Sequence, residues 1–187
     1  MLSLLIALSL LQASAGAASP PGPAAAEAPA GWNLASSEQG CIVHTTERAG
    51  IMLSVFALPE QDGIGFLLQN RKWSDLSDGR VYPLGIRFDD GVEWPVPALA
   101  RTEIDEDGPG LFFAIRPGTE KGGRDFLGEF AASRGMRVAN GGVGVGNLRL
   151  PNARGATVAL ADCLRGVFEG SSNPFGNSEG AGTSTRI

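Results

Sequence analysis

One histidine, His44, and two cysteines, Cys41 and Cys163, are the chain's whole stock of imidazole and thiol groups, and that scarcity limits its chemistry. Nucleophilic catalysis needs a serine or cysteine activated by a base, and among imidazoles only His44 is available as that base. Serines and carboxylates are plentiful, so a triad can be drawn, yet no G-x-S-x-G elbow accompanies it. A lone histidine in a strand-like run is more often structural. Zinc is poorly supported, because structural zinc wants four Cys or His ligands with paired spacing and no Cys-x-x-Cys occurs. The chain is expected to need no metal and no cofactor.

Other groupings invite a chemical reading and mostly have a plainer one. Glu103, Asp105 and Asp107 alternate before Gly108 like the first half of a calcium loop, but the twelfth position, where a bidentate Glu is required, is Ala114. A solvated hairpin loop explains them better. Gly141, Gly142, Gly144 and Gly146 could suggest a phosphate cradle, yet Asn147 stands where the last glycine of G-x-G-x-x-G belongs, and the stretch joins two strand-like runs. It reads as a hairpin with a bulged arm. Asp89 and Asp90 precede Gly91, so turn chemistry accounts for them without a glycosidase pair. Tyr82 and Trp94 fall on alternating apolar faces and are expected in the core. Trp73 differs: it sits in the polar connection Arg71-Lys72-Trp73-Ser74-Asp75, where a large ring can anchor a partner. It is the candidate binding residue.

The elements that must position these residues read as short apolar runs between turn residues, the signature of antiparallel sheet. Runs at 41–46, 51–58 and 63–68 come first. In 81–88, Tyr82, Leu84, Ile86 and Phe88 alternate with Pro83, Gly85 and Arg87, giving one apolar face; Pro83, lacking an amide proton, suggests an edge strand or a bulge. Asp90-Gly91 turns the chain into a return strand carrying Val92, Trp94, Val96 and Ala98 on one face, and 111–115 is another strand. The period then becomes helical over 125–134, with Gly135 as a left-handed cap. A hairpin about Asn140-Gly141 follows, then a helix over 156–168 with Leu160, Cys163, Leu164 and Val167 on one face. Cys163 thus points toward the sheet that holds Cys41.

Residues 2–11 form an apolar core followed by small residues, with cleavage expected after Ala15, Ala17 or Ala18. A core of about ten residues is short of the roughly 20 that span a bilayer, so no permanent membrane anchor is expected. The domain plan is therefore a signal peptide (1–18), a Pro/Ala-rich linker (19–31), one domain (32–168) and a Gly/Ser/Asn-rich tail (169–187). Export to the periplasm or beyond makes the cysteine pair a disulfide, closing a loop over most of the domain. A formal net charge of −5 with 15 Lys and Arg, scattered rather than clustered, argues against nucleic acid and against a lipid-binding basic patch.

The order of features resembles that of small exported proteobacterial proteins: Trp32 with Cys41 soon after, the run 50–58, Trp73 in mid-chain, the strand ending Ile86-Arg87-Phe88-Asp89, Phe126 and Phe130 in a helix, a strand before Leu150, and Ala159-Leu160-Ala161-Asp162-Cys163. It is also similar to the invasion-associated locus B proteins. That resemblance implies a small periplasmic β-rich domain without an established active site; this chain departs from the family in having only two cysteines.

The expected fold is α+β: a curved antiparallel sheet, a partial barrel or sandwich, covered by two helices in the C-terminal third. The expected function is non-enzymatic binding of a protein or cell-envelope component. The alternative is a cell-envelope hydrolase with its site near His44. A hydrolase should show a pocket in which His44 meets a serine and an acid; a binder should show an available aromatic or sheet edge without that convergence.

Overall fold

The computed structural model describes residues 28–37, 40–47, 50–58 and 62–171. The signal peptide, most of the linker and nearly all of the tail lie outside the described residues. In chain order the elements are β1 (Asn33–Ser37), β2 (Gly40–Thr46), β3 (Met52–Leu58), β4 (Gly63–Gln69), β5 (Val81–Phe88), β6 (Glu93–Arg101), β7 (Gly110–Ile115), β8 (Glu120–Lys121), β9 (Arg124–Asp125), α1 (Phe126–Ala132), β10 (Gly135–Asn140), β11 (Val143–Arg149) and α2 (Ala153–Ser171). Nine strands form one antiparallel sheet in the order β1-β2-β3-β4-β7-β6-β5-β10-β11, and β8 and β9 make a separate small hairpin. No described helix is long and apolar enough to cross a membrane.

The ladder stays open, but its two edges approach each other. The Trp32 indole N–H, just before β1, donates to the carbonyl of Pro151, just after β11. The Arg149 amide donates to Glu47 Oε2 at 2.9 Å. Gly146 in β11 lies so close to Ile51 that a Cβ there would collide with its Cδ1. The sheet is a partial barrel whose inner face is built from alternate strand positions: Val43, Leu53, Val55, Phe66, Leu68, Leu84, Ile86, Phe88, Trp94, Val96, Phe113, Met136 and Val138 are all buried there.

Helix α1 projects Phe126 and Phe130 into this interior. Phe126 meets Phe66, Phe88, Trp94 and Phe113 edge-on at 5.0–6.4 Å, the arrangement that aromatic quadrupoles favour. Asp125 caps the helix by accepting from the Gly128 amide at 2.6 Å. Glu129 takes the Trp94 indole N–H on Oε2 at 3.0 Å and pairs with Arg124 through Oε1, so its nearly buried carboxylate is held from two sides. Helix α2 packs on β2 and α1, and the Cys41–Cys163 disulfide, with Cα atoms 6.1 Å apart, ties it down.

Several expected boundaries move. The 125–134 helix ends at Ala132, and Gly135 is not its left-handed cap but the first residue of β10, paired with Arg149. The reason is local: Ser133 is already extended, and the Arg134 amide finds Asp89 Oδ2 at 3.2 Å, so the helix end needs no reversal of the chain. The last helix starts at Ala153 instead of 156, because Asn152 Oδ1 accepts from the Gly155 amide and caps it. The final hairpin turns at Gly141-Gly142, with φ of 55° and 84°, rather than at Asn140-Gly141. Two positive φ values in succession suit paired glycines best, which leaves Asn140 inside the strand opposite Val143 and Leu84. The bulge expected in that arm falls where Val138 pairs with Gly146 but Ala139 pairs with Gly144, leaving Val145 over. Val92 lies in the turn and is exposed.

Pro83 is not on an edge strand, since β5 lies between β6 and β10. The ladder to β10 begins only at Leu84, however, so Pro83 is flanked by β6 alone, opposite Pro97. A missing amide proton costs nothing where no strand waits on that side.

Candidate functional site

Two concavities are relevant, at different places in the partial barrel. The first lies between the inner face and the helices: a cavity of about 130 Å³ whose floor is Val43, Val55, Phe66, Phe130 and Leu160 and whose rim includes Ile64, Leu127 and Leu164. Its one polar side chain, Thr157, donates its hydroxyl to the Ala153 carbonyl at 3.0 Å. Nothing in it can hold a reacting group or an ordered water. Filling such space stabilises a fold by about 0.5–2 kcal/mol. Ala161→Leu, which adds methylenes at the rim from α2, is therefore expected to raise the urea midpoint; a lower midpoint would show that the space between α2 and β4 cannot accept them.

The second is the open mouth of the barrel, at the Tyr82 end of β5, while α1 occupies the Phe88 end. The cleft holds about 300 Å³ and is lined by Lys72, Trp73, Ser74, Asp75, Leu76, Tyr82, Leu111, Asn140, Gly144 and Val145. Four parts of the chain build it, with Leu111 of β7 as the floor. The connection after β4 brings Trp73 and Leu76 over the mouth; it is anchored by the Asn70 amide on the Pro109 carbonyl, by the Trp73 amide on the Asn70 carbonyl, and by Asn70 Oδ1 accepting from the Lys72 amide. The start of β5 supplies Tyr82, whose hydroxyl oxygen accepts the Ser77 amide at 3.2 Å and whose ring lies 5.2 Å from the Arg80 guanidinium carbon. The final hairpin supplies Asn140 and, through the bulge, Val145; bulges commonly re-aim side chains beside functional sites.

The polar groups of this cleft are largely unspent. Trp32 and Trp94 both commit their indole N–H to protein acceptors, whereas that of Trp73 has no acceptor among the described residues. The Asn140 amide and the Lys72 ammonium likewise have no side-chain partner there. Tyr82, already accepting from Ser77, keeps its own proton to donate. Leu111 closes the floor as a buried residue, and Trp73, Leu76, Tyr82, Asn140 and Val145 form half-buried walls. Trp73 is thus a wall of a cleft, packed against the core on one side, rather than a ring standing free on the surface.

Of the residues singled out from the sequence, Trp73 and Tyr82 come together and His44 does not join them. His44 lies half-buried on β2, on the face opposite to Val43 and Thr45, and pairs across the sheet with Ser54 and Asn33. Ser54 is a hydroxyl within a strand of the histidine, but no carboxylate occupies the flanking positions Ile42, Thr46, Met52 or Phe56. His44 lines neither concavity. On the same outer face Phe56 and Phe112 stack at 6.1 Å over Gly65, where a Cβ would strike the Phe56 ring at 2.7 Å. Asp105, from the acidic loop, spends Oδ1 on the Gln69 side chain and the Asp107 amide, and Asp107 pairs with Arg71; Asp89 adopts φ 41° in its turn. These acids hold loops together.

Sequence reasoning missed Asn140 and Val145 as cleft residues. The signal for Asn140 was the Gly141-Gly142 pair, which can make the whole turn by itself and so leaves the asparagine in the strand. Comparison with family models, with curated proteins and with solved structures finds no match for this chain.

Proposed function

We propose that the chain is an exported, non-enzymatic binding domain that holds a protein or envelope component at the Trp73 cleft. One observation carries the reading: Trp73 is the only one of the three tryptophans whose indole N–H is uncommitted among the described residues, and it lines a cleft with Tyr82 and Asn140. Ligand sites are typically concave, largely apolar, and provided with a few converging polar groups. Export is supported by the apolar leader with its small-residue end and by the disulfide, which persists in oxidising compartments. The resemblance to small periplasmic β-rich domains agrees with both.

The hydrolase reading asks His44 to act as a base, and base catalysis needs its partners within hydrogen-bond reach. Among the described residues no acid occupies the positions flanking the histidine on its face of the sheet, so this reading draws less support.

The test is retention of native envelope fractions on immobilised protein. Trp73→Ala is expected to weaken retention by about 2 kcal/mol, or roughly 30-fold, the loss typical of truncating an aromatic hot spot. His44→Ala should stay within about twofold of wild type, as expected for a side chain outside the contact. A His44 variant that folds normally yet loses all activity would put the hydrolase in place of the binder.

A further inference from the structure

We infer that the ligand of the Trp73 cleft is a neutral saccharide, bound with a ring face on the aromatic wall. This rests on the reading of the cleft as the binding site and adds the chemical class it takes. A pyranose ring has a face of C–H groups and a rim of hydroxyls, each able to donate and accept. The cleft has the matching halves. Trp73, Tyr82, Leu76 and Val145 supply apolar wall, and the polar groups donate from Trp73 Nε1, Tyr82 Oη, Lys72 Nζ and the Asn140 amide while Asp75 and the Asn140 carbonyl oxygen accept. Asp75 takes the Ser74 hydroxyl at 3.2 Å, which leaves its other oxygen for a ligand.

The other ligand classes fit less well. An anionic ligand could pair with Lys72 but would also face Asp75 at the cleft and a protein of net charge −5. A purely apolar ligand would strand the uncommitted donors, which is costly once they lose water. An extended peptide gains its affinity by adding to a strand edge or lying along a groove, whereas this cleft is a compact hollow of about 300 Å³ between one connection and one hairpin. A ring of mixed donors and acceptors leaves the fewest groups unpaired.

The experiment is a tryptophan-fluorescence titration of the oxidised protein with three soluble probes: the trimer of N-acetylglucosamine, maltotriose and cellotriose. Trp32 and Trp94 are buried, so Trp73 is the reporter, and Trp73→Phe should remove the signal. Saturable binding of at least one probe is expected, weakened roughly tenfold or more in Asn140→Ala, as for a buried polar partner removed. Because changes at Trp73 also touch the core, a second variant leaves the packing alone. That variant is Asn140→Ala, which trims a half-buried polar side chain at the cleft wall. Binding of none of the three probes, or binding that Asn140→Ala leaves unchanged, overturns the saccharide assignment. If envelope retention still depends on Trp73 in that case, the cleft remains the site and its ligand is a peptide; if retention is independent of Trp73, the site itself is misplaced.

Discussion

Opening the Cys41–Cys163 bridge, by reductant or by replacing both cysteines with alanine, lowers the free energy of unfolding by up to about 5 kcal/mol. The bridged residues are 122 positions apart, so the cross-link removes much of the freedom of the unfolded chain, and the chain-entropy estimate grows with the logarithm of the loop. Domains of this size have only about 5–15 kcal/mol in total. The effect should be concentrated in α2, which without the bridge keeps Ala156, Leu160 and Leu164 as its apolar hold on the sheet and α1. Urea titrations with and without reductant measure the difference. A change below about 1 kcal/mol, far under the estimate for so long a loop, would mean that packing alone seats the helix.

Truncating Phe126 to alanine should cost about 3–5 kcal/mol, the range for a large ring removed from a core that cannot collapse around the gap. Phe126 is fully buried and has four aromatic neighbours, contributed by β4, β5, β6 and β7. These are strands of a hydrogen-bonded sheet, and their spacing does not shrink to fill a void. Phe126→Leu keeps much of the volume and should cost clearly less. Denaturant midpoints of the two variants check the order, and loss of the near-ultraviolet aromatic circular dichroism in Phe126→Ala would report the disturbed cluster. Equal costs would show that ring shape, not filled volume, matters at this position.

Legibility from the sequence followed burial. The strand 81–88 was readable to the residue because one of its faces is buried from Leu84 onward, so Leu84, Ile86 and Phe88 had to alternate. The disulfide was readable because the chain offers one possible pair. β1 was not read at all: Asn33–Ser37 is an edge strand with four of five residues exposed, and a strand that buries almost nothing leaves no periodic mark. β8 and β9 were missed for the same reason, being two-residue strands about Gly122-Gly123. The cleft was half legible. A tryptophan in a polar connection marked itself by its surroundings, but Asn140 and Val145 reach the same hollow only through pairing of the last hairpin with β5, a contact between distant parts of the chain that local pattern does not encode.

The strand order also says something about how the molecule assembles. β1 to β4 form one meander, β5 to β7 a second and β10 with β11 a hairpin, all stitched between neighbours in sequence. Only two seams, β4 against β7 and β5 against β10, join these blocks over long stretches of chain. Local pieces can zip quickly, whereas the seams must wait for loop closure, so docking of the blocks should set the folding rate. Phe126 lies across the first seam, touching Phe66 on one side and Phe113 on the other, and Cys41 and Cys163 belong to the first block and to the last helix. Oxidation in a nascent chain would therefore come at the end, as a latch on blocks already docked, and with two cysteines in the sequence no wrong pairing within the chain can form first.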